Sequence, residues 1–317
     1  MSDTANIAKE DKCERSILSL AQAYCQPPEA APHGERAQLS VGLSELLLVS
    51  SIANLRLPVP ERSHVAMLVP NGSGLAVALL AVMDRYTAVP LADSEPVRGN
   101  LDKLELFAAT CLLVPEGPAG LALREAVEAH PTLAHQVKCF TVTILDNGAL
   151  QLELDAAAPA PASELAPAGP AVSRGGQITL LLGTSGTTGT PTVVPFTPSR
   201  MQSGAHLIAD TLELGRRDVG ANMMPLHHIG GIMVSLFGVL VSAGSMHFLP
   251  RFDPSSWFAL VAHAAYPITW THLAPRMWSY ILSFAQGQGL LDDGVDGGPA
   301  SEGAVFRSSH RIRLVRS

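Results

Sequence analysis

Charge, aromatic rings and cysteine are all scarce in this sequence, and each scarcity narrows what the chain can be. Charged residues occupy 15% of the 317 positions and aromatics 5%, against 47% apolar residues. That balance suits a globular body built on Ala, Val and Leu and excludes a largely disordered one. The four cysteines, Cys13, Cys25, Cys111 and Cys139, stand far apart with no CxxC pair. They read as reduced thiols and not as a disulfide or zinc framework, so no metal centre is expected. The net charge is −7, and the single dense basic run, Arg307 to Arg316, is too small a footprint for nucleic acid. The first fifteen residues are polar with no apolar run, so nothing marks a secretory signal and a cytoplasmic location is expected. One window, Ile229 to Leu249, is uncharged and about as long as a membrane span. Its glycines and its final Pro250 favour a buried helix over Ile232 to Ser242, a turn at Gly244 and a strand over Met246 to Leu249, with no membrane span.

What is abundant is an alternation of short apolar strands with helical stretches, the pattern of parallel βαβ units. The order is strand His64 to Val69, helix Leu75 to Met83, strand Thr87 to Leu91, helix Leu101 to Ala109 and strand Cys111 to Val114. Asn71 is placed as the N-cap of the first helix. Residues 155–176 then turn to Ala, Pro, Ser and Gly, too poor in large apolar groups to pack a core, and read as a linker. Alternation resumes with strand Ile178 to Leu182, helix Ser199 to Leu214, a short strand ending at Met224-Pro225, and the helix and strand of the uncharged window. Asp253-Pro254 supplies a cap and a first-turn proline for a helix over Ser255 to Ala265; strand Ile268 to His272 and helix Arg276 to Ala285 follow. The expected fold class is α/β: two βα subdomains with mainly parallel sheets flanked by helices. The boundaries are a polar leader at 1–36, a first subdomain at 37–154, the linker at 155–176, a second subdomain at 177–285, a Gly/Asp-rich loop at 286–304 and a terminal strand within 305–317.

The segment that carries chemistry begins where the strand Leu180 to Leu182 opens into Gly183-Thr184-Ser185-Gly186-Thr187-Thr188-Gly189-Thr190-Pro191-Thr192. Glycines let a backbone turn and bring its N–H groups close to an anion, and hydroxyls add donors for phosphate oxygens. This reads as a phosphate cradle. It is not a Walker A loop, because the GxxxxGK[ST] spacing is absent and a strand, not a helix, follows. A surface turn rich in Ser, Thr and Gly is the plainer reading, but such turns seldom follow a run of buried leucines.

This segment resembles the [ST]SG[ST]TGxPK signature of the AMP-forming acyl-CoA synthetases, the adenylate-forming ligase superfamily. Met224-Pro225-Leu226-His227-His228-Ile229-Gly230-Gly231 is similar to that family's P-[LM]-[FHY]-H-x-x-G segment, and His64 to Leu91 looks like its VAxxxPN block. The likeness covers about Leu39 to Phe284. It implies activation of a small-molecule carboxylic acid by Mg²⁺-ATP as an acyl-adenylate, followed by transfer to CoA, so ATP, Mg²⁺ and CoA are the cofactors it brings. By the resemblance, Thr184, Ser185, Gly186, Thr187, Thr188 and Gly189, with Thr192 at the loop's end, hold the phosphates. His228 matches the histidine beside the carboxylate and takes the catalytic place. His227, Gly230, Gly231 and Trp270 join it around the acid. From the residues alone, His228 reads equally well as a core histidine at a strand end, and His227 as a packing residue. Adjacent residues of a strand or helix point apart, which argues against a two-histidine metal site.

Three departures accompany the resemblance. Thr192 stands where the signature has lysine, which removes a charge that offsets the triphosphate and should weaken its binding. Tyr86 stands where a glycine is expected. The family's adenine-contact, ribose-binding and C-terminal lysine segments have no counterpart before Ser317, so the chain is expected to be a truncated domain, inactive in adenylation alone, with an open sheet edge that a complementary chain or a dimer would cover. A peptide-synthetase-like adenylation domain and a non-catalytic binding module stand as alternatives.

Overall fold

The computed structural model describes residues 55–144, 150–153, 177–184, 192–262, 268–289 and 313–316. The leader 1–36, the linker 155–176 and residues 290–304 lie outside that set. Two sheets carry the fold. The first has seven strands: β1 (His64–Met67), β2 (Thr87–Pro90), β3 (Cys111–Pro115), β4 (Lys138–Ile144), β5 (Leu150–Glu153), β6 (Leu180–Gly183) and β7 (Val193–Phe196), in the spatial order β5-β4-β3-β1-β2-β6-β7. Its interior pairs are parallel, and the two edge pairs, β4 with β5 and β6 with β7, are antiparallel. The second sheet is β8 (Val219–Asn222), β9 (Ser245–Phe248), β10 (Trp270–Leu273) and β11 (Arg313–Arg316), all parallel, in the order β11-β10-β8-β9.

Near-continuous apolar strands require cover on both faces, and the helices provide it in layers. Ala66, Leu68, Leu112 and Val114 face helices α2 (Val97–Leu106) and α3 (Pro118–Glu128), with the short α4 (Leu133–Gln136) at their edge. Val65, Met67 and Leu113 face the other way, onto α1 (Ser73–Arg85). Helix α1 is buried from Gly74 to Arg85, as a helix apolar on all sides must be. Its far side meets α5 (Pro198–Thr211) and a helix that winds in the wide π pattern over Gly231–Phe237 and tightens to α6 over Gly238–Ser242. Those helices cover one face of the second sheet through Met246, Phe248 and Trp270. The opposite face packs Ala221, Met223 and Leu273 against α7 (Pro254–Val261) and α8 (Pro275–Gly287). Helices and sheets therefore alternate in five layers, with one core cluster running through the middle of the stack.

Several expectations meet the structure directly. The uncharged window is a helix over 231–242 and a strand over Ser245–Phe248, and no helix among the described residues is long and apolar enough to cross a membrane. Asp253 caps α7, its carboxylate accepting from the Ser256 N–H at 3.0 Å, with Pro254 in the first turn. Tyr86 needs no glycine's freedom: its backbone is extended, and its hydroxyl accepts from the Leu57 N–H at 2.9 Å, which fastens the segment leading into β1.

Two expectations are corrected. The sequence groups the strand Ile178 to Leu182 with a second subdomain beginning at 177, but β6 pairs with β2 of the first sheet, Ala88 opposite Leu180. Two side chains lock that junction: the Thr87 hydroxyl donates to Ile178 O at 2.8 Å and the Thr179 hydroxyl to Met83 O at 2.6 Å. A strand apolar on both faces fits the interior of either sheet, so its own residues do not say which. The second correction is Asn71, which does not cap α1. Gly72 holds the capping position with φ 137° and no side-chain cap, and the Asn71 amide is spent on longer-range bonds.

Candidate functional site at the carboxyl ends of both sheets

In the second sheet the chain leaves β8 toward β9 on one side and β10 toward β11 on the other, so the carboxyl ends of β8 and β10 flank a topological switch point, where open α/β sheets bind ligands. The loop Met223 to Gly230 leaves β8 at that point. Asn222, fully buried at the end of the strand, shapes it: the Met224 N–H donates to Asn222 Oδ1 at 3.0 Å, Asn222 Nδ2 donates to Met224 O at 2.9 Å, and the Ser235 hydroxyl donates to Asn222 Oδ1 at 2.8 Å. One amide thus folds the loop back and joins it to the following helix. Gly231 completes the turn by its lack of a side chain, since a Cβ there would stand 2.4 Å from Pro225 O.

The first sheet reaches the same loop. Asn71, just after β1, accepts from the Leu226 N–H at 2.8 Å and donates to Leu249 O, beyond β9, at 3.3 Å. The carboxyl ends of β1, β8 and β9 are therefore tied together by one side chain, one residue before the histidine pair. His227 and His228 lie with ring centroids 4.5 Å apart at 52°. Adjacent residues were expected to diverge; they meet because the segment is a turn and neither strand nor helix. Among the described residues no group of three His, Cys, Asp or Glu side chains is placed to hold a metal ion.

The electrostatics of the pair favour neutral rings. Burial lowers the His227 imidazole to about 4, aided by His228 and the Lys103 ammonium and opposed by Asp93 and Glu95. His228 is lowered as well, by burial of part of its ring and then by Lys103. Lys103 and Glu95, themselves ion-paired, belong to the first subdomain, so the charge acting on the histidine turn comes from the first subdomain. A neutral imidazole offers one N–H donor and one acceptor nitrogen, which can orient a carboxylate without trapping it in a full ion pair.

The segment expected to cradle phosphate follows β6 in the chain. Ser185, Gly186, Thr187, Thr188 and Gly189 lie outside the described residues; Thr184 and Thr192, both exposed, mark its two stems. The stems hold each other: the Thr184 N–H donates to Thr192 O at 3.0 Å and the Thr192 N–H donates to Thr184 Oγ1 at 3.1 Å. Gly230 is partly open beside His228. Trp270 is not at the crevice: it is 1% exposed at the start of β10, its ring against Gly220 at the amino-terminal end of β8. The family resemblance places Trp270 around the acid; the strand's direction carries it to the far end.

Sequence reading missed Asn71, Asn222, Lys103 and His272 as members of this neighbourhood. Only Asn71 gave a signal, as part of the Pro-Asn pair after the first strand.

Residues 53–308 match the family model described as AMP-binding enzyme. The sulfoacetate–CoA ligase of Cupriavidus necator is 31% identical over 231 residues, 71% of this chain and 42% of that protein. The malonate–CoA ligase of Arabidopsis thaliana is 34% identical over a shorter stretch of 76 residues, 24% of this chain and 12% of that one. Among solved structures, ATP-bound MatB from Rhodopseudomonas palustris superposes with a TM-score of 0.64 at 19% identity, covering 84% of this chain and 51% of that one. The chain thus spans about two-fifths to one-half of the longer relatives that it matches along most of its length. A family match over most of the chain, on a fold with this loop at the end of β6, means that the chain belongs to the AMP-binding enzyme family.

Proposed function

We propose that the crevice between the two sheets binds a carboxylic acid and Mg²⁺-ATP and activates the acid as an acyl-adenylate for transfer to the thiol of CoA. The observation that carries this reading is the neutral histidine turn, fastened by Asn71 to the carboxyl end of the sheet from which the phosphate loop rises. In this reading Thr184, Ser185, Gly186, Thr187, Thr188, Gly189 and Thr192 supply backbone and hydroxyl donors to the phosphates. His228 orients the acid carboxylate, His227 packs beside it, and Gly230 leaves room for the acyl group, while Gly231 lets the turn close against Pro225 O. Bound ATP supplies the phosphorus that the acid attacks and the pyrophosphate that departs.

The donor set fits phosphate better than a bare cation, because hydroxyls and N–H groups dominate the loop and no acidic cluster accompanies it among the described residues. Magnesium would therefore arrive with the nucleotide. The sulfoacetate and malonate ligases among the relatives favour a short acid over a long fatty one.

Calorimetric titration of short acids and of the β,γ-imido analogue of Mg²⁺-ATP tests the reading. Saturable binding of both is expected, with His228→Ala weakening the acid about tenfold through a lost charge-assisted hydrogen bond. A folded protein that binds neither the analogue nor any acid would refute it.

A further inference from the structure

The stretch that follows β6 is written without a cation. No lysine or arginine stands from Gly175 to Ser199, and Thr192 occupies the place where the family signature has lysine. A triphosphate brought there meets hydroxyls and N–H groups alone, and polyanions bind tightly where positive charge offsets their own. The sheet order says where a substitute can come from. β6 lies beside β2, Leu180 opposite Ala88, and β1 lies on the other side of β2. The carboxyl end of β2 therefore stands between the end of β6 and the end of β1, after which Asn71 fastens the histidine turn. From β2 the chain passes through Leu91 to Pro96 into α2.

Lys103 lies on α2, and its ammonium is drawn toward that end of the sheet. Helical side chains lean toward the amino terminus of their helix, and Lys103 pairs with Glu95, two residues before α2 begins. The pair is partly in water, its side chains 28% and 29% exposed. Gly99 makes the pairing possible. A Cβ there would stand 2.7 Å from Glu95 Oε1 and 2.9 Å from its Cγ, so the glutamate lies along the first turn of the helix. That turn has no side-chain cap, and the open N–H groups of a helix start favour a carboxylate. Glu95 thus keeps partners when the ammonium leaves it, and a move of Lys103 to a second anion strands no charge. The ammonium also acts on both His227 and His228, which puts it at the histidine turn, whereas the exposed Arg98 of the same helix is paired with Asp102.

We propose that Lys103 is the cation for the phosphate chain of ATP: on binding, its ammonium passes from Glu95 to a phosphate oxygen, and Glu95 settles on the amino terminus of α2. This rests on the acid-activation reading above and adds to it a binding residue from outside the segment after β6. The charge that Thr192 gives up is regained from the helix after the neighbouring strand. Glu95 competes with the nucleotide for the ammonium, so the two members of the ion pair have opposite effects on nucleotide affinity. A salt bridge that only held α2 in place would give effects of the same sign.

The test titrates the full chain and its Lys103→Met and Glu95→Gln variants with the Mg²⁺ β,γ-imido ATP analogue by calorimetry, and separately with CoA and with short acids. Lys103→Met should weaken the analogue about tenfold, the loss of one charge-assisted contact. Glu95→Gln should tighten it about threefold by freeing the ammonium from a partly exposed pair. The affinity for short acids should stay as it is in both variants. Glu95→Gln carries the test if Lys103→Met fails to fold, because a gain of affinity does not come from damage. Analogue binding indifferent to both substitutions, a loss of affinity in both, or a Lys103→Met effect confined to CoA would overturn the inference and leave acid activation standing. If the folded wild type binds neither the analogue nor any short acid, both readings fall.

Discussion

The segment that follows β6 and the loop that follows β8 are built in opposite ways. After β6, Thr184 and Thr192, eight residues apart, bond to each other at the exposed end of a hairpin. The histidine loop, Met223 to Gly231, is shaped by a fully buried amide, by a residue 155 positions earlier in the chain and by a glycine pressed against Pro225 O. The first closure is local, made between near neighbours in the chain. The second is a tertiary device, in which His227 and His228 occupy their positions only because both sheets are already packed. Damage to the first should be felt by the nucleotide and hardly by the fold; damage to the second should be felt by the fold as well.

The sharpest way to break this contrast is Asn222→Leu. It removes three hydrogen bonds at a buried position and leaves the Met224 groups and the Ser235 hydroxyl without partners, which should cost about 3 kcal/mol in denaturant unfolding. A loss below about 1 kcal/mol would mean that the loop holds its shape without Asn222. Next comes Asn71→Ala, which frees the Leu226 N–H and the Leu249 carbonyl; about 1–2 kcal/mol of stability should go, and acid affinity should fall with it while affinity for the ATP analogue stays.

Acid should separate the loops too. The imidazole of His227 falls from the ordinary 6.5 to about 4 in the folded chain, so the unfolded chain binds protons first as pH drops. Stability from this source is present above pH 6.5 and is lost as pH falls toward 4. His227→Gln should flatten the decline in unfolding free energy across that window, and an unchanged slope would assign it to other groups. The smallest effects belong to the phosphate loop. Thr192→Lys should tighten Mg²⁺ β,γ-imido ATP by about 1–2 kcal/mol through a charge-assisted contact. Thr184→Val should lower stability by only about 0.5–1 kcal/mol, since one exposed bond is lost.

The same contrast explains what was legible in the sequence. Alternating apolar strands and helices gave away the α/β class, and the helix and strand of the 229–249 window stand close to where the glycines place them. The Gly- and Thr-rich segment after β6 stands out in the sequence because its glycines and hydroxyls are written consecutively. Residues 115–154, with two helices and two strands, carried no assignment, since their apolar positions are short and interrupted by polar ones. The sheet membership of β6 was hidden because nothing in Leu180 to Leu182 specifies a neighbour; the choice is made by Thr87 and Thr179 reaching across to carbonyls 91 and 96 positions away. Asn71 looked like a cap because its spacing before an apolar helix is that of a cap, and only the arrival of Leu226 and Leu249 reassigns it. The resemblance groups Trp270 with the acid, whereas Trp270 stands at the amino-terminal end of β10, and it is His272 that lies beside Asn222 at the carboxyl end.

One measurement bears most directly on the claim that the two loops form a single site: the affinity of the Mg²⁺ β,γ-imido ATP analogue with and without saturating malonate, in the wild type and in Asn71→Ala. Two ligands that share a crevice and a common scaffold alter each other's binding reciprocally. The account predicts that malonate tightens the analogue at least about fivefold in the wild type, and that this coupling is lost in Asn71→Ala. Analogue binding that is indifferent to malonate in the wild type, or a coupling that persists unchanged without Asn71, would contradict it.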